Sequence, residues 1–174
     1  MSRESEPGDV AARLRRLEDI EAIRRLLHDI ARGTDRFDSE LLARSIRADA
    51  TLDMGGAKAM AGVDFAQALK PPASPRPGRM HIVANERIDV DGDDARSESY
   101  ILSCQDVLVD GMRKTRFRAG RYLDRFVREA GAWKLTSRML VDEWSRVDEV
   151  TEAIAPGRHV GMPVPHDPSC RCDA

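Results

Sequence analysis

Apolar residues at Leu14, Leu17, Ile20, Ile23, Leu27 and Ile30 fall at steps of three and four, which predicts one stripe of an amphipathic helix running from Val10. Gly33 supplies its stop. "DRFDSELLARSI" restarts a shorter helix, capped by Asp38 or Ser39, with Leu41, Leu42 and Ile46 on its buried side. "ATLDMGG" reads as a short strand and "GVDFAQALK" as a third helix capped near Asp64. "PPASPRPG" is a loop, because proline fixes φ and cannot donate to a ladder; it either covers a pocket mouth or simply connects.

Beyond that loop the pattern changes to strand. Segments 81–90, 95–109, 112–127 and 132–147 are long β runs separated by "DGDD", "DG" and "EAG" turns of hairpin type. Three helices followed by an antiparallel meander give an α+β fold, in which long strands curl and helices packed on one face close the curl into a cone. Residues 1–9 read as a mobile end, 10–150 as one domain, and the Pro- and Gly-rich 151–174 as a tail lying on the domain or on a neighbouring subunit.

Composition narrows the function classes. Charged residues make up 33% of the 174-residue chain, with a net charge of −2 and mixed signs as in "RLRRLEDIEAIRR", so no basic stripe points to nucleic acid. The cluster Arg113, Lys114, Arg116, Arg118 and Arg121 reads as a solvated face offset by Asp106, Asp110 and Asp124. No apolar run approaches the roughly 18 residues of a membrane span, and "MSRESEPGDV" lacks a secretory apolar core, so a cytoplasmic protein is expected. Three cysteines read as reduced thiols. His159, His166, Cys170 and Cys172 share a stretch of the tail, but their spacing matches no zinc module, and no metal is expected.

Polar residues within strands carry the candidate chemistry, because a buried polar group without a partner costs about 1–3 kcal/mol. They are His81, Asn85, Arg118, Arg121 and Arg138. Period two puts His81 with Val83 and Asn85 on one face, and Arg138 with Thr136 and Leu140 on another. His81 alone is either a satisfied core histidine or a general base. The second reading needs a carboxylate to fix the ring's tautomer, since a base works best with a pKa near the operating pH and unperturbed histidine lies at about 6.5. Asp35, just beyond Gly33 in "ARGTDRFD", is the candidate partner, and a cap or turn role competes for it.

"LLHDIARGTDRFD", "GRMHIVANERIDVDGDDA" and "AGRYLDRFVREAGAWKLTSRMLVDEW" resemble the SnoaL-like branch of the nuclear transport factor 2-like superfamily, over roughly residues 12–148. The resemblance implies a cone-shaped sheet around an interior pocket. In members similar to scytalone dehydratase and lindane dehydrochlorinase, an Asp–His dyad there removes a proton as a leaving group departs. Asp35 and His81 match the dyad, and Arg138 matches a pocket arginine of the dehydrochlorinase-like members. Two positions depart from those patterns: Ile30 stands where the dehydrochlorinase-like members have lysine, and only Cys104 or Gln105 lies near the second histidine of the dehydratase-like members.

The expected protein is therefore a cofactor-independent lyase, acting on a hydrophobic cyclic or aromatic small molecule lodged among Val83, Leu102, Met139 and Trp144, with Arg138, Asn85 and Tyr100 as pocket dipoles. An isomerase using the same pocket, a non-enzymatic binding module, and a structural subunit similar to the small subunit of ring-hydroxylating dioxygenases are the alternatives. An apolar convex sheet face predicts a homo-oligomer, dimer or trimer.

Overall fold

Two-residue turns with left-handed backbone set the sheet. The structure, a computed structural model, describes residues 7–56, 58–71, 78–150 and 154–171. Its long strands are β3 (Arg79–Asp91), β4 (Asp94–Val109), β5 (Met112–Glu129) and β6 (Ala132–Glu149), following the shorter β1 (Ile46–Asp53) and β2 (Met60–Ala61). Asp110 and Gly111 have φ of 53° and 76°, and Ala130 and Gly131 of 49° and 82°, the geometry whose twist matches that of the strands it joins. The strand order is β2-β1-β6-β5-β4-β3 in one curved, unclosed sheet. The meander is antiparallel, but β1 pairs parallel to β6, so the sheet is mixed and not the wholly antiparallel one the turns predict.

Helices α1 (Pro7–Arg36), α2 (Ser39–Ser45) and α3 (Gly62–Ala68) cover the concave face. Helix α1 begins inside the end expected to be mobile, whose residues 1–6 lie outside the described ones, as does most of the proline loop. It also runs past Gly33 and stops where Phe37 turns left-handed at φ 56°. Gly33 instead permits contact: a Cβ there would stand 2.9 Å from the Leu42 side chain of α2. Asp38 caps α2, accepting from the Leu41 amide at 2.9 Å. Asp64 does not cap α3, whose start is fixed by packing, since a Cβ on Gly62 would meet the Arg47 carbonyl at 2.0 Å.

The apolar stripe of α1 divides. Successive steps of three residues each fall about 60° short of a turn, so from Leu14 to Ile23 the stripe winds about 180° around the helix. Ile23, Leu26, Leu27 and Ile30 face the sheet and build the core with Leu42, Ile46, Leu52, Phe126, Trp133 and Leu135. Leu14 and Leu17 emerge on the far side, 54% and 62% exposed.

Two β-bulges decide which side chains face inward. On β3 the register shifts between Ala84 and Arg87, where Asn85 takes a φ of 53°. On β6 a shift opposite Arg125 and Phe126 moves the inward set from Trp133 and Leu135 to Arg138 and Leu140. The tail lies on its own domain: the Val164 amide donates to the Arg36 carbonyl at 2.9 Å, and Arg36 Nε pairs with the buried Asp167 at 3.1 Å.

Candidate active site

The last turn of α1 aims Asp35 at the first residues of β3. One carboxylate oxygen, Oδ1, lies 2.6 Å from His81 Nδ1, and Oδ2 accepts the backbone N–H of the same residue at 2.9 Å. The two side chains are 9% and 8% exposed. An ionised carboxylate only accepts, so Nδ1 carries the ring proton and Nε2 presents a lone pair. Bonding ring and backbone together fixes the side chain's direction as well as its tautomer. The cap or turn role for Asp35 is not the one adopted.

His81 Nε2 faces the Gln105 amide nitrogen at 3.5 Å. Gln105 is oriented from behind, because Arg79 Nη2 donates to its Oε1 at 2.9 Å and leaves the NH₂ group turned to the histidine. Arg79 lies over the Phe37 ring at 5.3 Å. Burial pulls its guanidinium below its usual value, against the opposing effects of Asp35 and Tyr122. Sequence reasoning did not single out Arg79; its signal was a charge two residues before His81, on the same face of β3. Arg79 also lines a recess of about 280 Å³ with Phe37, Leu69, Lys70 and Asp106.

Val83 continues the dyad's face of β3 and packs with Ile101, Tyr122, Leu140 and Met54. Arg138 also points inward, but Asp124 holds it through Nε at 2.9 Å and Nη2 at 2.7 Å, and its guanidinium lies 3.9 Å from the Tyr122 ring centre. Burial alone would pull Arg138 down; Asp124 outweighs that and raises it. Asp124 is therefore no counter-charge for the basic cluster, which is not a wholly solvated face: only Arg113 is exposed, paired with Asp106, while Lys114, Arg116, Arg118 and Arg121 are half-buried, Arg118 against Asp142.

The remaining expected pocket residues are on the other side of the sheet. Tyr100 and Leu102 alternate with the buried Ser99, Ile101 and Ser103, and Met139 neighbours the buried Arg138 and Leu140, so all three face outward. Trp144, paired with Ala119, is 73% exposed, and Asn85 leaves the dyad's face at its bulge. Tyr100, Leu102, Asn85 and Trp144 instead line a convex-face groove of about 480 Å³ with Ile82. Ser97 and Ser99 point inward, and among the described residues their hydroxyls have no hydrogen-bond partner. The Cys172 of the tail lies outside the described residues. Among the described residues no helix is long and apolar enough to cross a membrane.

The family model described as a SnoaL-like domain matches residues 15–139. No curated protein matches the sequence. Among solved structures, the chain is similar to a candidate scytalone dehydratase of Novosphingobium aromaticivorans at 25% identity and TM-score 0.67, covering 82% of this chain and 96% of that one. The hexachlorocyclohexane dehydrochlorinase LinA-type3 of Novosphingobium barchaimii shares the fold at 23% identity and TM-score 0.70, with 82% and 99% covered. A nuclear transport factor 2-like protein with a cystatin-like fold from Novosphingobium aromaticivorans does so at 24% identity and TM-score 0.63, with 78% and 89% covered.

Proposed function

The chain belongs to the SnoaL-like domain family, and from that premise we propose that it is a cofactor-independent lyase, a dehydratase or related eliminating enzyme, acting on a hydrophobic cyclic or aromatic small molecule. A small-molecule-processing role of this type also fits the dehydratase and dehydrochlorinase among its structural neighbours. The observation that carries the finer reading is the 2.6 Å contact of the buried Asp35 carboxylate with His81 Nδ1, which leaves Nε2 as a base.

In the proposed reaction, His81 Nε2 takes a proton from a carbon next to the one bearing the leaving group. The C–H electron pair becomes the new double bond, and the leaving group departs with its own pair. Asp35 offsets the imidazolium charge. Where water leaves, the imidazolium returns its proton to the departing hydroxyl, so the chemistry balances without a redox partner or added acid. A positioned base of this kind is worth about 10²–10⁴-fold in rate. The Gln105 NH₂, held by Arg79, lies beside the base where a departing oxygen would be, and donates to its growing negative charge. In this reading a substrate enters by way of the recess that Arg79 and Phe37 line, with Arg79 moving off the Phe37 ring. Val83, Ile101 and Leu140 then form the apolar wall.

The convex face, bare at Tyr100, Leu102, Met139 and Trp144, supports assembly into dimers or trimers. The test is turnover on a panel of hydroxylated and halogenated cyclic and aromatic compounds, with His81→Ala as control. Elimination that vanishes in the variant supports the lyase. Double-bond migration without loss of a group makes the protein an isomerase, and binding without turnover makes it a binding module.

A further inference from the structure

The half-buried basic residues of β5 divide by their partners. Lys114 has Glu149 at 2.7 Å, Arg118 has Asp142 at 3.1 Å, Arg121 has Glu143 at 3.1 Å and Arg128 has Asp19 at 2.6 Å. Arg116 is equally half-buried, yet among the described residues it makes no hydrogen bond or ion pair. A guanidinium that gives up part of its hydration needs acceptors in its place. Arg79 on β3 is short of negative charge too, since its hydrogen bond goes to a neutral amide, Gln105 Oε1 at 2.9 Å.

Register puts both arginines on the dyad's face. Arg79, Gln105 and Arg116 form one row across β3, β4 and β5, and His81, Ser103 and Arg118 form the next. Residues directly opposite one another share a face, and here it is the inner one, because Ser103 is buried and Gln105 turns to His81 Nε2. The Nε of Arg118 is buried beside Asp142 but makes no hydrogen bond, so this guanidinium is loosely held. The nearby carboxylates are committed: Asp35 to His81, and Asp106, which lines a recess with Arg79, to Arg113 and the Gly78 amide. Against Arg79, Arg116 and Arg118 stand only Asp35 and Asp142, which leaves one positive charge over. A monoanion completes that balance, and the guanidinium fork matches a carboxylate. Arg116 and Arg118 lie two strand spacings, about 10 Å, from β3 and His81. Side chains converge over a concave face, so one ring bearing a carboxylate spans the gap.

We propose that the molecule taken by this site is a cyclic or aromatic carboxylate, whose anionic group Arg116 holds, with Arg118 beside it, while the ring presents a C–H to His81 Nε2. This rests on the reading of the dyad as the place where a cyclic molecule reacts, and it names the substrate class. Nuclear magnetic resonance titration of the full chain at pH 7 and low salt tests it, with benzoate and cyclohexanecarboxylate as probes and benzamide as an uncharged probe of similar size. Wild type is compared with Arg116→Gln, Arg116→Lys and, as a control on the same strand, Arg113→Gln. Both carboxylates are expected to bind at least about tenfold more tightly than benzamide, with shifts at His81 and Gln105. Arg116→Gln should weaken the carboxylates by about ten- to hundredfold and leave benzamide unchanged, Arg116→Lys should keep part of the affinity, and Arg113→Gln should stay within about twofold. Benzamide binding as tightly as benzoate, inorganic phosphate binding as tightly as benzoate, or affinity for benzoate indifferent to Arg116→Gln would each overturn the proposal. Binding needs no turnover, so the two readings fail separately. A chain that holds benzoate through Arg116 but eliminates nothing sinks the lyase alone, and elimination from neutral rings by a chain that ignores benzoate sinks this proposal alone.

Discussion

Two buried acid–base pairs share the concave side of this sheet, and they are built for opposite ends. Asp124 grips Arg138 through two parallel hydrogen bonds, a fixed charge pair with Tyr122 against it. Asp35 spends one oxygen on the His81 ring and the other on the His81 backbone, so that the base keeps one nitrogen uncommitted to the carboxylate. Arginine stays protonated at any working pH, whereas histidine gains and loses its proton there. The first pair holds a sheet together, and the second is equipped to move a proton.

Breaking each pair should therefore fail in a different measurement. His81→Ala is expected to cut turnover by about 10²–10⁴-fold with the circular dichroism spectrum retained, and with some stability lost because the buried Asp35 keeps only the residue-81 backbone N–H as a partner. Arg138→Met should do the reverse, destabilising the fold by about 3–5 kcal/mol in urea because it strands the Asp124 charge, while Asp124→Leu/Arg138→Met recovers most of that loss. If Arg138→Met instead spares stability and removes turnover, the division of labour between the pairs is wrong. A smaller effect is expected from Gln105→Leu, a drop of about five- to tenfold in kcat with little change in KM, the signature of a hydrogen bond that strengthens only as the leaving group departs.

The mildest prediction concerns a third carboxylate, Asp167, whose partner Arg36 follows Asp35 in the chain. Burial pushes Asp167 up, but hydrogen bonds from Ser169 and the Met162 amide, with Arg36 nearby, bring its carboxyl below its ordinary 3.8. A lowered carboxyl contributes stability above the unfolded value and loses it as pH falls through the folded one. The tail's hold on α1 should thus weaken in acid below about that ordinary value, seen as a shift of the Val164 amide resonance, and Asp167→Asn should show the loosened state already at neutral pH.

How much of this was legible in the sequence depends on which physical rule each residue obeys. Turn glycines and period-two runs placed the four long strands to within two residues at each boundary. The parallel β1–β6 pairing was hidden, because no local turn encodes it. Leu102 and Met139, expected around the substrate, are each one step from the residue that faces inward, Ile101 and Leu140, since a strand reveals alternation but not which phase is buried. Asn85 shows why: its left-handed bulge resets the phase of β3 midway, a local choice that the pattern of apolar residues does not record. Leu14 and Leu17 read as part of one apolar stripe with Ile23 and Leu27, but steps of three wind around the helix and leave both exposed. Asp35 and His81 are 46 positions apart, so their meeting could be expected only from the resemblance of their surrounding motifs, not from spacing.

The most direct test of the dyad needs no substrate. Nitrogen-15 NMR of the His81 ring at a pH where it is neutral should show Nδ1 protonated, its proton shifted far downfield by the short bond to Asp35, and Nε2 bare. Asp35→Asn should remove the downfield proton and allow the tautomers to mix. A ring protonated at Nε2, or a spectrum indifferent to Asp35→Asn, would contradict an imidazole held ready as a base.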